Sequence, residues 1–575
     1  MRRKSNGSNP TAAFLPMSRK EMQARGWEEL DILLISGDAY VDHPGFGVPL
    51  LARMLEKQGY RVGIVAQPRW DNPEDIQKMG RPRLFCGVSA GSLDSMLCHY
   101  TAFRKKRHDD PYTPGGRAGA RPNRACLVYS NLVKAAFPGL CLVLGGIEAS
   151  LRRFAHYDFW SDSLRRSLLL DSKADLLVYG MGEYAIGEIA ARLQNNQDLE
   201  GVRGTLRVSR QFDDKVRLLP SYEEILQDKG KLLTATKEME LAMHAGLPLA
   251  QKHGDRYVYC EPPAPLPSET QLDSFYELPF TREAHPSYEQ PVPALDMLKW
   301  SVTALRGCAG ACAFCSLASH QGRYVRSRSP ASLQKEILGL TQLKGWKGIV
   351  SDVGGATANL WGASCSMEGK GCRRQSCLFP DFCPHLRLQQ SAYIEMLRSL
   401  RKLPGVRKVG IASGVRFDVA LRDPGFCQAL VGEFVSGQLK LAPEHTEDKV
   451  LRLMRKTDFA VFEEFKHRFE QLCRQYGKEQ YIVPYVISAY PGCTMQDMQA
   501  MAAWFKKRGW RPQQAQCFIP TPGTIATAMY YAEIDLQGNK IYVAKSDRER
   551  EDQHAVLYEQ RKTTRQTARR RNKRQ

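Results

Sequence analysis

Apolar and polar positions fall along the chain in blocks that read alternately as strand and helix. Asp31-Ile32-Leu33-Leu34-Ile35-Ser36 is a short continuous apolar run closed by Gly37-Asp38. Leu50, Leu51, Met54 and Leu55 then recur on one face of a helix from about 47 to 58, and a second run covers Arg61-Val62-Gly63-Ile64-Val65. Strand, helix and strand in so short a span make a βαβ unit. Runs that are apolar on both faces predict a parallel sheet covered on both sides. Further strands are predicted at 84–88, 140–144 and 175–178, and a helix at 183–193. Residues 29–200 thus read as a doubly wound α/β domain, a fold that takes ligands at the carboxyl ends of its strands. Residues 1–28 are polar and basic and are expected to be poorly ordered. Residues 201–293 read as a helical, proline-rich connector, extended through Glu261-Pro262-Pro263-Ala264-Pro265-Leu266-Pro267.

A second α/β pattern occupies 294–550. Strands are expected at 297–305, 348–353, 406–411, 438–441, 481–488 and 516–519. Helices are expected at 332–343, 387–402, 424–434, 446–475 and 495–507. Six strand-helix repeats predict a partial (β/α)6 barrel with its chemistry gathered at the carboxyl ends of the strands.

The first of those ends carries Gly307-Cys308-Ala309-Gly310-Ala311-Cys312-Ala313-Phe314-Cys315. Three thiols among residues too small to build a core point to a metal. Iron-sulfur cubanes take four ligands, so three cysteines leave one iron open, and an open position marks a catalytic rather than a structural site. The Cys-x3-Cys-x2-Cys spacing, with an aromatic before the third cysteine, resembles the cluster motif of the radical S-adenosylmethionine (radical SAM) superfamily. The resemblance implies a 4Fe-4S cluster on Cys308, Cys312 and Cys315, with S-adenosylmethionine chelated at the free iron and cleaved to a 5'-deoxyadenosyl radical.

Other turns on the same rim supply candidates for the cosubstrate. Gly354 and Gly355 stand where such proteins carry a Gly-Gly-Glu stretch, with Ala356 in place of the acid and Asp352 nearby. Arg416 could meet a carboxylate bidentately; as an alternative, Arg416 and Asp418 form only a surface pair. Glu444 could hold a ribose hydroxyl or a substrate group, and Phe314 lies inside the motif itself. A second group, Cys365, Cys372, Cys377 and Cys383, falls within nineteen residues among glycines and prolines. Its four thiols suit zinc or an auxiliary cluster, although the intervals are wider than paired zinc spacing. Free thiols are the alternative.

Composition narrows the setting. With 575 residues the chain exceeds a single core. It holds no continuous apolar run long enough to span a membrane, and its start lacks a signal-peptide core, so a cytoplasmic protein with reduced thiols and no membrane association is expected. The net charge of +21, from 82 basic and 61 acidic residues, favours polyanionic partners such as RNA or the ribosome. Residues 551–575 are expected to be a disordered basic tail.

Leu144 to Arg153, His156-Tyr157-Asp158-Phe159-Trp160, Arg306 to Arg323, Cys372-Arg373-Arg374-Gln375-Ser376-Cys377-Leu378-Phe379-Pro380 and Leu441 to His445 together resemble the YgiQ family of radical SAM proteins. The resemblance implies a cobalamin-binding-like N-terminal domain followed by a radical SAM core, and a reductant such as flavodoxin or ferredoxin. The turns Leu144–Ser150 and Tyr179–Glu183 are similar to those of cobalamin domains. The cobalamin motif, however, needs Asp-x-His-x-x-Gly, and the chain has Asp42-His43-Pro44-Gly45-Phe46-Gly47. Cobalamin is therefore not expected to be bound. The function so implied is reductive cleavage of S-adenosylmethionine and hydrogen abstraction from a substrate that the resemblance does not supply. Similarity to methylthiotransferases and the positive charge suggest RNA or protein; the alternative is a non-enzymatic iron-sulfur module that binds nucleic acid or senses redox state.

Overall fold

A computed structural model describes residues 13–211 and 216–558. Its N-terminal domain is built on one nine-stranded sheet. In chain order the strands are β1 (Ile32–Ser36), β2 (Val62–Ala66), β3 (Phe85–Ser89), β4 (Cys141–Gly145), β5 (Leu176–Val178), β6 (Thr205–Ser209), β7 (Arg217–Leu219), β8 (Leu249–His253) and β9 (Arg256–Cys260). Across the sheet they run β2-β1-β3-β4-β5-β6-β9-β8-β7. The first five are parallel, as their two-sided apolar character predicts. β1 is buried along its whole length, with Leu33 and Ile35 facing one core cluster and Ile32 and Leu34 the other.

The segment 201–293 has the expected helices, Tyr222–Gln227, Gly230–Ala245 and Glu269–Tyr276, and an irregular proline-rich run, but it also adds four strands to this sheet, which a connector would not. β6 turns antiparallel to β5, and the β8–β9 hairpin adds beyond it. These strands mix charged residues (Arg207, Arg217, Lys252, Arg256) with apolar ones, which the edge of a mixed sheet tolerates and a buried parallel strand does not; short mixed runs of this kind do not read as strands in sequence. The expectation of poor order over 1–28 also fails where it can be judged. Helix Arg19–Ala24 is capped by Ser18, and Leu15 and Met22 are buried. The helix Asp547–Ala555 crosses the boundary drawn at 551, while 559–575, the bulk of the expected basic tail, and residues 1–12 lie outside the described residues.

In the C-terminal domain the six strands appear as β10 (Ser301–Thr303), β11 (Asp352–Gly354), β12 (Lys408–Val409), β13 (Gln438–Glu444), β14 (Tyr481–Ser488) and β15 (Gln514–Cys517). β10 and β11 are parallel, and Ile349–Val350, just ahead of β11, pairs in parallel with β12. β13, β14 and β15 form a second parallel run. The six strands thus fall into two parallel groups of three. The first strand is shorter than expected, because Pro293–Leu298 is helical and Met297 is solvent-exposed. The helix expected over 446–475 is two, Asp448–Leu453 and Phe459–Gln475.

Buried polar contacts lock the two domains. Arg306, next to the cysteine loop, forms an ion pair with Glu183 and donates from Nε to the Tyr276 hydroxyl at 2.8 Å. Arg282 donates to the Lys299 carbonyl at 2.9 Å, and the His320 ring lies 3.0 Å from the Ser150 hydroxyl. Between the domains the carboxyl ends of β1, β3, β4 and β5 face the rim of the second domain across a cavity of about 680 Å³. Among the described residues, no helix is long and apolar enough to cross a membrane.

Candidate active site

The cysteine loop leaves β10 through a short hairpin, Leu305–Arg306 against Arg326–Ser327, which brackets it at both ends. Cys308 donates its backbone N–H to the Gly322 carbonyl at 3.2 Å, and Gly307 donates to Gln321 Oε1 at 3.1 Å. Gly307 sits at φ 82, and a Cβ there would stand 2.2 Å from the Tyr324 carbonyl oxygen, so only glycine lets the two chain segments approach. Farther along, the Ala313 N–H donates to the Met454 carbonyl and its carbonyl accepts from Ala526 N–H. Ala311 adopts φ 45, a left-handed conformation unusual for alanine and typical of functional loops that tertiary contacts over-determine.

The three thiols share this pocket of backbone. Burial, and then the neighbouring Cys312 and Cys308, push the Cys315 thiol up to about 12. Crowding of this kind disfavours three thiolates unless positive charge stands among them, which is what iron supplies. Cys308 Sγ is 3.5 Å from the Thr357 hydroxyl, and Arg416 Nη1 is 3.7 Å from Cys312 Sγ. Cys312 and Cys315 line a second cavity of about 440 Å³ that runs back toward Tyr179, Met239 and His244. The donor set therefore fits a cluster: three thiols on one loop, a cation and a hydroxyl aimed at the sulfurs, and open space beside two of them.

The candidates for the cosubstrate divide. Gly355 lines the larger cavity, together with Ala356, Ser413 and Gly414. Gly354 is small for packing, since a Cβ there would collide with the Ser413 side chain at 1.8 Å. Asp352 spends Oδ1 on the turn after β12, accepting from the Ala412 and Ser413 N–H groups at 2.7 and 2.9 Å. Arg416 and Asp418 are a buried pair beside the cluster thiols. Burial opposes the Arg416 charge, but the Asp418 carboxylate outweighs it. Glu444 ends β13 at φ 72, 3.8 Å from Lys456 Nζ, with burial pushing its carboxyl up. It lines neither cavity, and nor does Phe314, which packs edge-on against Tyr490.

Sequence reasoning missed His320. Its ring stands at the wall between the two cavities and lines both. Burial depresses it to about 4, with Arg153 and Arg306 acting in the same direction against Glu183, so it is neutral at pH 7. Its position five residues after Cys315, on the short helix Leu317–Gln321, was the available signal.

Residues 14–301 match the family described as radical SAM N-terminal. A UPF0313 protein of Geobacter sulfurreducens is 47% identical, the match covering 95% of this chain and 92% of that one. A UPF0313 protein of Thermotoga neapolitana is 48% identical over 93% of this chain and 96% of its own. Among solved structures, the radical S-adenosylmethionine methyltransferase TsrM of Kitasatospora setae, with cobalamin and a [4Fe-4S] cluster bound, is similar at TM-score 0.50 and 13% identity, covering 92% of this chain and 88% of that one. The likeness takes in both domains and is one of fold. It overturns the expectation that the Asp42–Gly47 spacing sets cobalamin aside: the fold that this chain shares holds cobalamin in that enzyme. A histidine motif is one way to bind a corrinoid, and backbone contact along glycine-rich strand ends is another.

Proposed function

The chain belongs to the UPF0313 family and is an enzyme of the radical SAM class, and from that premise we propose that Cys308, Cys312 and Cys315 hold a 4Fe-4S cluster at which S-adenosylmethionine is reductively cleaved. When bound and reduced, such a cluster supplies one electron that breaks the sulfonium C5'–S bond, giving methionine and a 5'-deoxyadenosyl radical for hydrogen abstraction. The observation that carries the reading is the placement of three crowded thiols on one strained, glycine-rich loop, two of them open to a cavity.

The surrounding side chains have definable tasks. Arg416, held by Asp418, keeps a positive charge 3.7 Å from Cys312, which favours an anionic ligand set. Arg306 and Glu183 tie the loop to the sheet domain. The test is anaerobic: protein reconstituted with iron and sulfide, then reduced with dithionite, releases 5'-deoxyadenosine from S-adenosylmethionine. An intact cluster that releases none would favour a redox-sensing or nucleic-acid-binding module instead.

A corrinoid in the larger cavity is the second part of the reading. Gly47, Gly145 and Gly414 line it, and the place a Cβ would take on each is empty out to 4 Å, so these glycines leave room rather than pack. His43 is outside that lining, buried, with Nδ1 accepting from the Gly45 N–H at 2.9 Å. A corrinoid here would therefore be held without His43 as a ligand. Protein loaded with hydroxocobalamin and desalted should keep about one equivalent, and Gly145→Trp should abolish retention. A wild-type chain that keeps none refutes this part and leaves the cluster reading intact.

A further inference from the structure

We infer that Cys365, Cys372, Cys377 and Cys383 hold a second iron-sulfur cluster, packed against the first cysteine loop. The stretch 366–385 has no helix or strand of its own and is closed at its base only by a two-residue ladder in which Cys365 pairs with Leu386. Twenty residues of irregular chain, with glycines at 369 and 371, bury too little apolar surface to order themselves and call for a staple. The backbone brings the thiols together. Cys383 donates its N–H to the Cys377 carbonyl at 2.8 Å, and Leu386 donates to the Cys383 carbonyl at 3.0 Å, which sets Cys383 beside both Cys377 and the strand of Cys365. Cys377 and Cys383 are buried; Cys365 and Cys372 are half-buried and flank Tyr324.

The charge beside them supports thiolates rather than thiols. Arg323 is 8% exposed, yet among the described residues no carboxylate lies within ion-pair distance of it. Its guanidinium donates to the Arg374 carbonyl and points Nη2 at Cys377 Sγ, 3.8 Å away, while Nε has no partner. A buried guanidinium without an acid is unfavourable unless an anion stands near it, and metal-bound thiolates are such an anion.

Spacing separates a cluster from a single ion. Among the described residues no three His, Cys, Asp or Glu side chains close to single-ion distance, in either cysteine loop. A cubane binds each thiolate through a different iron and so holds its ligands farther apart than one zinc does. Two hydrogen bonds couple the sites: Cys377 N–H to the Ala309 carbonyl at 3.0 Å, and the Ser376 hydroxyl to the Gly310 carbonyl at 2.7 Å. The second site thus braces the loop that carries the first.

The inference rests on these four thiols alone and stands whether or not S-adenosylmethionine is cleaved. The experiment counts iron and acid-labile sulfide in the full chain after anaerobic reconstitution, with Mössbauer spectra. Wild type should carry clearly more than the about four irons of one cubane. Cys308→Ala/Cys312→Ala/Cys315→Ala should keep a cluster whose spectrum ignores S-adenosylmethionine. Cys365→Ala/Cys372→Ala, which changes only the two half-buried thiols, should lose that cluster and keep the one that responds. A wild type limited to one cubane, with none in the triple variant, overturns the inference; so does one tightly held zinc per chain that depends on Cys365 and Cys372.

Discussion

The two cysteine loops touch each other but open in different directions. Cys312 and Cys315 face a cavity between the domains, whereas none of the four thiols of the second group lines it. The first loop is held by Gln321 and Gly322, Met454 and Ala526, from three separate parts of the chain. The second rests on the first, on its own base ladder and on the contacts of Arg326 with Glu368 and of Arg323 with the Arg374 carbonyl. Each has an arginine aimed at a sulfur, but Arg416 is balanced by Asp418, whereas among the described residues no acid lies within ion-pair distance of Arg323. Under the proposed assignments the contrast is the one between catalytic and structural metal sites: the first would keep an accessible position and borrow its rigidity from the fold, and the second would lend rigidity to an irregular loop.

The largest effect that would test this contrast is on turnover. Cys312→Ala should bring 5'-deoxyadenosine release down to the level without protein, whereas Cys372→Ala should leave it measurable; equal loss in both, by chromatographic assay, would erase the distinction. Next come the two arginines. Arg416→Ala leaves the Asp418 carboxylate buried and unpaired and should cost about 3–5 kcal/mol in urea unfolding, much of it recovered in Arg416→Ala/Asp418→Ala. Arg323→Met should behave oppositely. Metal-free protein should stay within about 1 kcal/mol of wild type or gain, because an uncompensated charge has gone, and only the metal-loaded chain should melt earlier. A penalty in the metal-free chain as large as that of Arg416→Ala would show that Arg323 has a partner other than bound thiolate.

The smallest effect concerns pH. His445, fully buried beyond the cysteine loop, accepts the Glu447 N–H on Nδ1 at 3.1 Å and approaches Cys493 Sγ at 3.4 Å through Nε2. Burial depresses it to about 4 from an ordinary value of 6.5. The unfolded chain therefore binds the proton first as pH falls. Stability should drop between pH 6.5 and about 4, by up to about 1.4 kcal/mol per pH unit for this group, and change no further below that. His445→Gln should flatten the dependence of the urea midpoint over that window; an unchanged slope would assign the acid sensitivity to other buried histidines such as His156 and His253.

Much of the fold was legible because it repeats. β1 to β5 are apolar on both faces, and the helices between them carry apolar residues at helical spacing, so parallel strands and crossovers can be read one segment at a time. β6 to β9 could not be read in that way. Their mixed residues become strands only because β5 and then each other offer an edge to pair with, which is a long-range fact. The helix Arg19–Ala24 was hidden likewise, since Met22 and Leu15 are meaningful only against a core built from later residues.

For the site, the sequence alone determined which thiols are available as ligands. Three cysteines at fixed short spacing, and four more within nineteen residues, are a matter of composition and chain length, which no folding step alters. Tertiary structure decided everything that depends on distance between remote residues. It set Arg416 against Cys312 and Arg323 against Cys377, tied Asp352 and Gly354 into packing, and put His320 on the wall between two cavities. Charge and hydrogen bonding act through space, so whether a residue faces sulfur, solvent or a neighbouring strand is settled only when segments tens or hundreds of positions apart are brought together.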